Sequence, residues 1–192
     1  MRCSWGIPAT LGLVILSMVA ASPALARPWT LLPAKYTILR YQRDADLAAF
    51  NRAIDFGGQS QGFLFFQGAE ETGEGLDREV RQKLNRMVEK VQLILDMRKP
   101  FPRVFINLYS NAEDLHRAYF QIYGTRKELR AWYTFQHNTI YINVLDLHSG
   151  MLAHELAHAV VDHYLGVRPP RATAEILARY VDQHLESEAK IY

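Results

Sequence analysis

The chain is short of cysteine, of net charge and of long apolar runs, and each shortage removes a class of protein. Its single cysteine is Cys3. No internal disulfide and no cluster of thiolate zinc ligands is available, so a metal site must be built from His, Asp or Glu. Lys and Arg number 22 against 20 Asp and Glu, a formal charge of +2. That balance is no footprint for nucleic acid. No stretch reaches the roughly 18 consecutive apolar residues of a membrane-spanning helix.

What is present begins with an export pattern. Arg2 supplies a positive start, Leu11 to Ala20 is a short apolar core, and Ala24-Leu25-Ala26 gives the small-x-small cleavage pattern. Residues 1–26 are therefore expected to be a signal peptide, cleaved after Ala26, and the protein secreted or periplasmic without stable membrane association afterwards. Of the 192 residues, 166 then remain as 27–192, a length suited to one domain with a sizeable core. That mature chain has no cysteine at all.

Periodicity and turn chemistry divide the mature chain. Pro28 to Pro33 reads as an extended lead-in, Tyr36 to Tyr41 as a strand, and Asp44 as the cap of a helix running to about Ile54. Gly57 to Gln61 reads as a turn, Phe63 to Phe66 as a short strand, and Gly68 to Gly75 as a loop. Apolar residues recur at Leu76, Val80, Leu84, Val88, Val91 and Leu95, which predicts a helix from Leu76 to Met97, stopped before Pro100. Arg103 to Tyr109 is a strand. Asn111 opens a helix that ends at Gly124. Ala131 to Phe135 and Thr139 to Asn143 form a hairpin turning at Gln136-His137-Asn138. A helix starts near Ser149, Pro169-Pro170 breaks the chain, and a last helix runs from about Ala172 to Glu188. The fold class is α+β: helices on one mixed or antiparallel sheet.

The helix after Ser149 carries His154-Glu155-Leu156-Ala157-His158. At 3.6 residues per turn, His154 and His158 lie one above the other and can meet one ion at bonds of about 2.0–2.1 Å. Zinc so held lowers the pKa of a bound water, and Glu155 is placed to take its proton as it attacks a carbonyl. Between Met151 and Leu165, the polar residues His154, Glu155, His158 and Asp162 share an arc of about 100°, and nearly all the rest are apolar or small. Asp162 is a candidate acceptor for fixing an imidazole tautomer.

A catalytic zinc needs three protein ligands and a water. Glu175 is the candidate third ligand, 17 residues beyond His158 on the next helix. Its spacing from Arg179 equally suits an i,i+4 salt bridge on a solvated face, and spacing alone leaves both readings open.

The order of strand, His-Glu-x-x-His helix, proline-containing link and Glu-led helix resembles the gluzincin metallopeptidases, in particular their small, minimal-domain members. Their second helix often reads Trp-Leu-x-Glu-Gly-x-Ala-x-Tyr. Here Ala172 to Tyr180 keeps Glu175, Ala178 and Tyr180, and has Ala172, Thr173 and Ile176 at the Trp-Leu and Gly positions. The resemblance implies a zincin-like domain with one Zn2+ per chain on His154, His158 and Glu175, Glu155 as general base, and peptide or protein substrates. It implies that Ala178 is small because its helix passes close to the site. It also implies that Thr139 to Asn143 is the sheet edge on which a substrate pairs; strand alternation turns Ile140 and Ile142 to the core and Thr139, Tyr141 and Asn143 the other way. Tyr180, Tyr133, His137 and His184 are candidate donors to a developing oxyanion.

Two other readings compete. Glu113-Asp114-Leu115-His116 and Glu155-Leu156-Ala157-His158 both fit the Glu-x-x-His spacing of di-iron carboxylate bundles. A secreted binding or scaffold domain that keeps the zinc-peptidase fold without turnover is the other.

Overall fold

The structure, a computed structural model, describes residues 28–54 and 73–185. The expected signal peptide, the turn at Gly57 to Gln61 and the strand at Phe63 to Phe66 lie outside the described residues. Five strands form one mixed sheet in the order β1-β2-β3-β5-β4. These are β1 (Thr30–Pro33), β2 (Thr37–Tyr41), β3 (Val104–Tyr109), β4 (Ala131–Thr134) and β5 (Thr139–Asn143). The central strands β2, β3 and β5 run parallel, and β1 and β4 close the sheet antiparallel at its two edges. The helices are α1 (Asp44–Ala53), α2 (Gly73–Ile94), α3 (Ala112–Tyr123), α4 (Ser149–Tyr164) and α5 (Arg171–His184). This is the expected α+β class, with parallel pairing at its centre. Among the described residues, no helix is long and apolar enough to cross a membrane.

Strand alternation sorts the side chains into two layers. Val104, Ile106 and Leu108 of β3 and Ile140 and Ile142 of β5 join the main core with residues of α1, α2, α4 and α5. On the opposite face, Trp132 and Tyr141 pack with Leu115 and Ala118 of α3. Thus Ile140 and Ile142 do face the main core. The other side of β5 meets α3 rather than water.

Several boundaries differ from the sequence reading. Thr30–Pro33, expected as a mere lead-in, pairs with β2 as an edge strand, where Pro33 is tolerated. Gly73 to Gly75, expected in a loop, begins α2, which ends at Ile94 rather than Met97. Asp44 is not the cap of α1. Arg43 holds the extended cap position, and it pairs with buried Asp46 (Nη2 to Oδ1, 2.6 Å). Ser110 Oγ donates to the same carboxylate at 2.7 Å. The cap of α3 is as expected: Asn111 Oδ1 accepts from the Asp114 backbone N–H at 2.9 Å, and Gly124 ends the helix at φ 68.

The expected edge strand is corrected. Thr139–Asn143 lies between β3 and β4, so β4 forms the open edge. Sequence order hid this, because the later strand of the hairpin inserts next to β3. Asn138 fixes the hairpin: at φ 44 it turns the chain, its Nδ2 donates to the Arg103 carbonyl at 2.9 Å, and its Oδ1 contacts His163 Nε2 on α4 at 2.9 Å.

Candidate metal centre

α4 is positioned by what precedes it. Asn143 ends β5 and bonds Asp146 (2.6 Å) across a short 3-10 turn, Val144–Asp146, which delivers the chain to His148. His148 caps α4, its Nδ1 accepting the Met151 backbone N–H at 3.2 Å. Leu152, Ala153, Leu156, Ala157, Ala159 and Val160 then bury one side of the helix in the main core. The histidine face is left turned toward β4 and α5.

α5 runs antiparallel to α4, since Gly150 meets Asp182 while His154 and His158 meet Glu175. Ala153, Ala157 and Ala178 are all fully buried in the shared core, and side chains this small let the two backbones draw near. The consequence is a three-sided group. His154 Nε2 stands 3.6 Å from Glu175 Oε2, and His158 Nε2 stands 3.8 Å from Glu175 Oε1. The two imidazoles are nearly perpendicular, with ring centroids 5.0 Å apart. One ligand atom from each residue falls within 4.8 Å of the others. Ligands bonded to a tetrahedral ion at about 2.0–2.1 Å stand about 3.3–3.4 Å apart, and the two His–Glu separations exceed that by only a few tenths of an ångström. Among the described residues they are the one His, Cys, Asp or Glu group that close together.

Glu175 forms no pair with Arg179 among the described residues. Its nearest cation is Arg171, one turn earlier, at 4.0 Å. Of the two readings that spacing left open, the structure places the carboxylate beside the histidines.

The electrostatics of the group follow from its burial and its close charges. Burial, and next the neighbouring His154, lower the proton affinity of His158 against the pull of Glu175 and Asp162. A neutral imidazole is the form that binds a metal. Glu155 is not part of the triad but lies beside it. Burial, and next the charge of Glu175, push its carboxyl up to about 8, while the Tyr133 backbone N–H that donates to it pulls the other way. That bond links the carboxylate to the open edge of the sheet.

A cleft of about 610 Å³ passes over the group, lined by Ala131, Tyr133, His154, Glu155, His158 and Glu175 among others. A smaller recess of about 240 Å³ adjoins it at His154 and Glu155, walled by Arg130, His148, Met151 and Asp182. Tyr133 is the one oxyanion candidate that lines either space. Its hydroxyl is buried without a hydrogen-bond partner, and burial raises its proton affinity. Tyr180 stacks on His184 at 4.0 Å and His137 stands exposed in the hairpin turn, so the structure brings none of these three to the cleft. Asp162 is not an imidazole acceptor here. It pairs with Arg168 at 3.2 Å.

The second Glu-x-x-His pair serves the fold instead. His116 Nε2 contacts the Leu129 backbone at 3.1 Å, and Glu113 pairs with Arg117. A mixed sheet stands where a di-iron site needs a four-helix bundle. His148 went unnoticed in the sequence, although a histidine directly before Ser-Gly at a helix start was a legible signal. Compared with known proteins, the chain matches no family model, no curated protein and no solved structure.

Proposed function

We propose that the protein is an exported zinc-dependent peptidase with a zincin-like domain of gluzincin type, acting on peptide or protein substrates. The observation that carries this reading is the approach of Glu175 to both histidine Nε2 atoms, at 3.6 and 3.8 Å, with Glu155 beside them. A zinc ion on that tripod supplies a Lewis acid for the scissile carbonyl and an acidified water.

The chain's own residues do the rest. His154, His158 and Glu175 would hold the ion. Glu155 accepts the proton of the attacking water and passes it to the leaving amine, held in place by the Tyr133 backbone N–H. The edge strand β4 borders the cleft through Ala131 and Tyr133. An open edge binds an extended peptide by its backbone and makes little demand on sequence.

The test is hydrolysis of unfolded polypeptides by the mature, zinc-supplied protein, with metal content measured on the same sample. One zinc per chain and cleavage lost in Glu155→Gln support the enzyme. Zinc bound without any cleavage reassigns the protein to a non-catalytic binding domain. Two irons per chain rejects the zinc site.

A further inference from the structure

We infer that His148 is a substrate-positioning residue, donating its Nε2–H to a carbonyl or carboxylate oxygen of a peptide seated in the recess beside His154 and Glu155; this rests on the peptidase reading of the site. The tautomer comes from the fold. Nδ1 accepts the Met151 backbone N–H at 3.2 Å, so it carries no proton, and the ring proton sits on Nε2. The ring is thus a helix cap through one nitrogen and a donor through the other. His148 is exposed, and its side chain walls the recess together with Arg130, Met151 and Asp182.

Gly150 keeps this arrangement open. A side-chain carbon there would collide with the Asp182 carboxylate and lie 3.4 Å from His148 Nδ1. The space above the first turn of α4 therefore belongs to these polar groups and to whatever they bind.

Position along the helix says which part of a substrate His148 meets. It precedes His154 by six residues, about 9 Å along the axis at 1.5 Å per residue. An extended peptide advances about 3.3 Å per residue. For a peptide that runs along α4, His148 therefore lies level with a substrate residue two to three positions from the bond being cut. It acts on binding and register, and leaves the reacting carbonyl to the metal centre.

The experiment exploits the double use of the ring. His148→Asn keeps an excellent N-cap acceptor but lacks a donor at the Nε2 position, whereas His148→Ala loses both. Dissociation constants for a synthetic octapeptide, and for versions shortened stepwise from each end, are measured with zinc-loaded Glu155→Gln protein and with the Glu155→Gln, His148→Asn double variant. The octapeptide is expected to bind the double variant about three- to tenfold more weakly, the worth of one hydrogen bond. That difference disappears when shortening from one end, not the other, removes the residue over the recess. The melting temperature stays at that of the parent. With active protein, His148→Asn raises KM by a similar factor and leaves kcat within about twofold.

Equal binding by both proteins, a difference that survives shortening from both ends, or no binding to either, overturns the role of His148. A parent that binds the peptide in this pattern but cuts nothing overturns the peptidase reading alone. A parent that cuts while His148→Asn binds equally overturns only His148.

Discussion

His154 Nε2 and Glu175 Oε2, 21 residues apart in the chain, stand 3.6 Å from each other across the packed pair α4 and α5. Two imidazoles and one carboxylate at this spacing offer donor atoms to a cation, and their geometry depends on helix packing as much as on ligand identity. Removing the carboxylate is the cleanest probe. Glu175→Ala is expected to lower zinc affinity by more than the 10–100-fold that follows loss of a mere supporting residue. The parent's melting temperature should rise with added zinc, by linkage, and the variant's should not. A variant titrating zinc like the parent would reject Glu175 as a ligand.

The alanines between the two helices set that spacing. Ala178 is fully buried against the core that contains Ala153 and Ala157. Ala178→Leu adds volume where none is free, and overpacking of this kind costs about 1–3 kcal/mol. Because the added volume separates α5 from α4, zinc affinity is expected to fall together with thermal stability. Ala172→Ser, on the exposed side of the same helix, should change neither. Calorimetric melting with and without zinc checks both.

A histidine outside the site sets an acid limit. His163 contacts Asn138 at 2.9 Å and stacks near Phe101, with ring centroids 5.8 Å apart. Burial lowers its proton affinity, and the adjacent Asp162 only partly opposes this. The folded state therefore binds this proton less readily than the unfolded chain, whose histidine titrates near 6.5. Stability from this group is complete above about pH 6.5 and is lost as pH falls from there through the lower, folded value. His163→Gln keeps a hydrogen-bonding amide and should flatten the stability profile between about pH 6.5 and 5 in denaturant titrations. An unchanged slope would reject the assignment.

Asp46 supports the sheet from outside the histidine–glutamate group. It is buried, and its carboxylate takes Arg43 at 2.6 Å and Ser110 at 2.7 Å, tying the start of α1 to the end of β3. Asp46→Ala leaves both donors without their acceptor and is expected to cost about 2 kcal/mol, the lower part of the range because Arg43 is itself exposed. Zinc affinity should be nearly unchanged. A loss of zinc binding matching the loss of stability would show that this support extends to the histidine–glutamate group.

How much of this was legible in the sequence depended on how local the cause was. The capped helix Asn111 to Gly124, the hairpin turning near Asn138 and the helix from Ser149 each rest on residues within one turn of their boundary, and each stands where expected. The two histidines were equally legible, because a single helix places them. Glu175 was not decided by spacing. Its partner choice, His154 and His158 over Arg179, follows from the packing of α5 on α4, which no local pattern encodes. Asp162 was drawn instead to Arg168, a residue of the link before Pro169, for the same reason. Strand order escaped altogether. β5 takes the interior position beside β3, and only the long-range parallel register from Phe105↔Thr139 to Tyr109↔Asn143 reveals it.

That strand order yields the last expectation. Asn143 donates to the Arg130 carbonyl at 3.0 Å, and β4 pairs with β5 from Ala131↔Ile142 to Thr134↔Thr139. In an antiparallel ladder, alternate residues exchange bonds, so Trp132 and Thr134 turn their backbone groups to β5, and Ala131 and Tyr133 turn theirs outward. The Tyr133 N–H is taken by Glu155. The Ala131 N–H and carbonyl, with the Tyr133 carbonyl, are then the groups at the cleft with which an extended peptide can pair. Ala131→Pro removes that outward N–H without breaking a bond to β5, a substitution an edge strand tolerates. Folding and zinc binding are expected to persist, while kcat/KM falls about three- to tenfold through the loss of one backbone hydrogen bond. Ala131→Gly, which keeps the N–H, should stay near the parent. If the proline variant cuts polypeptides at the parental rate, the substrate does not pair with β4, and the cleft must hold its peptide through side chains instead.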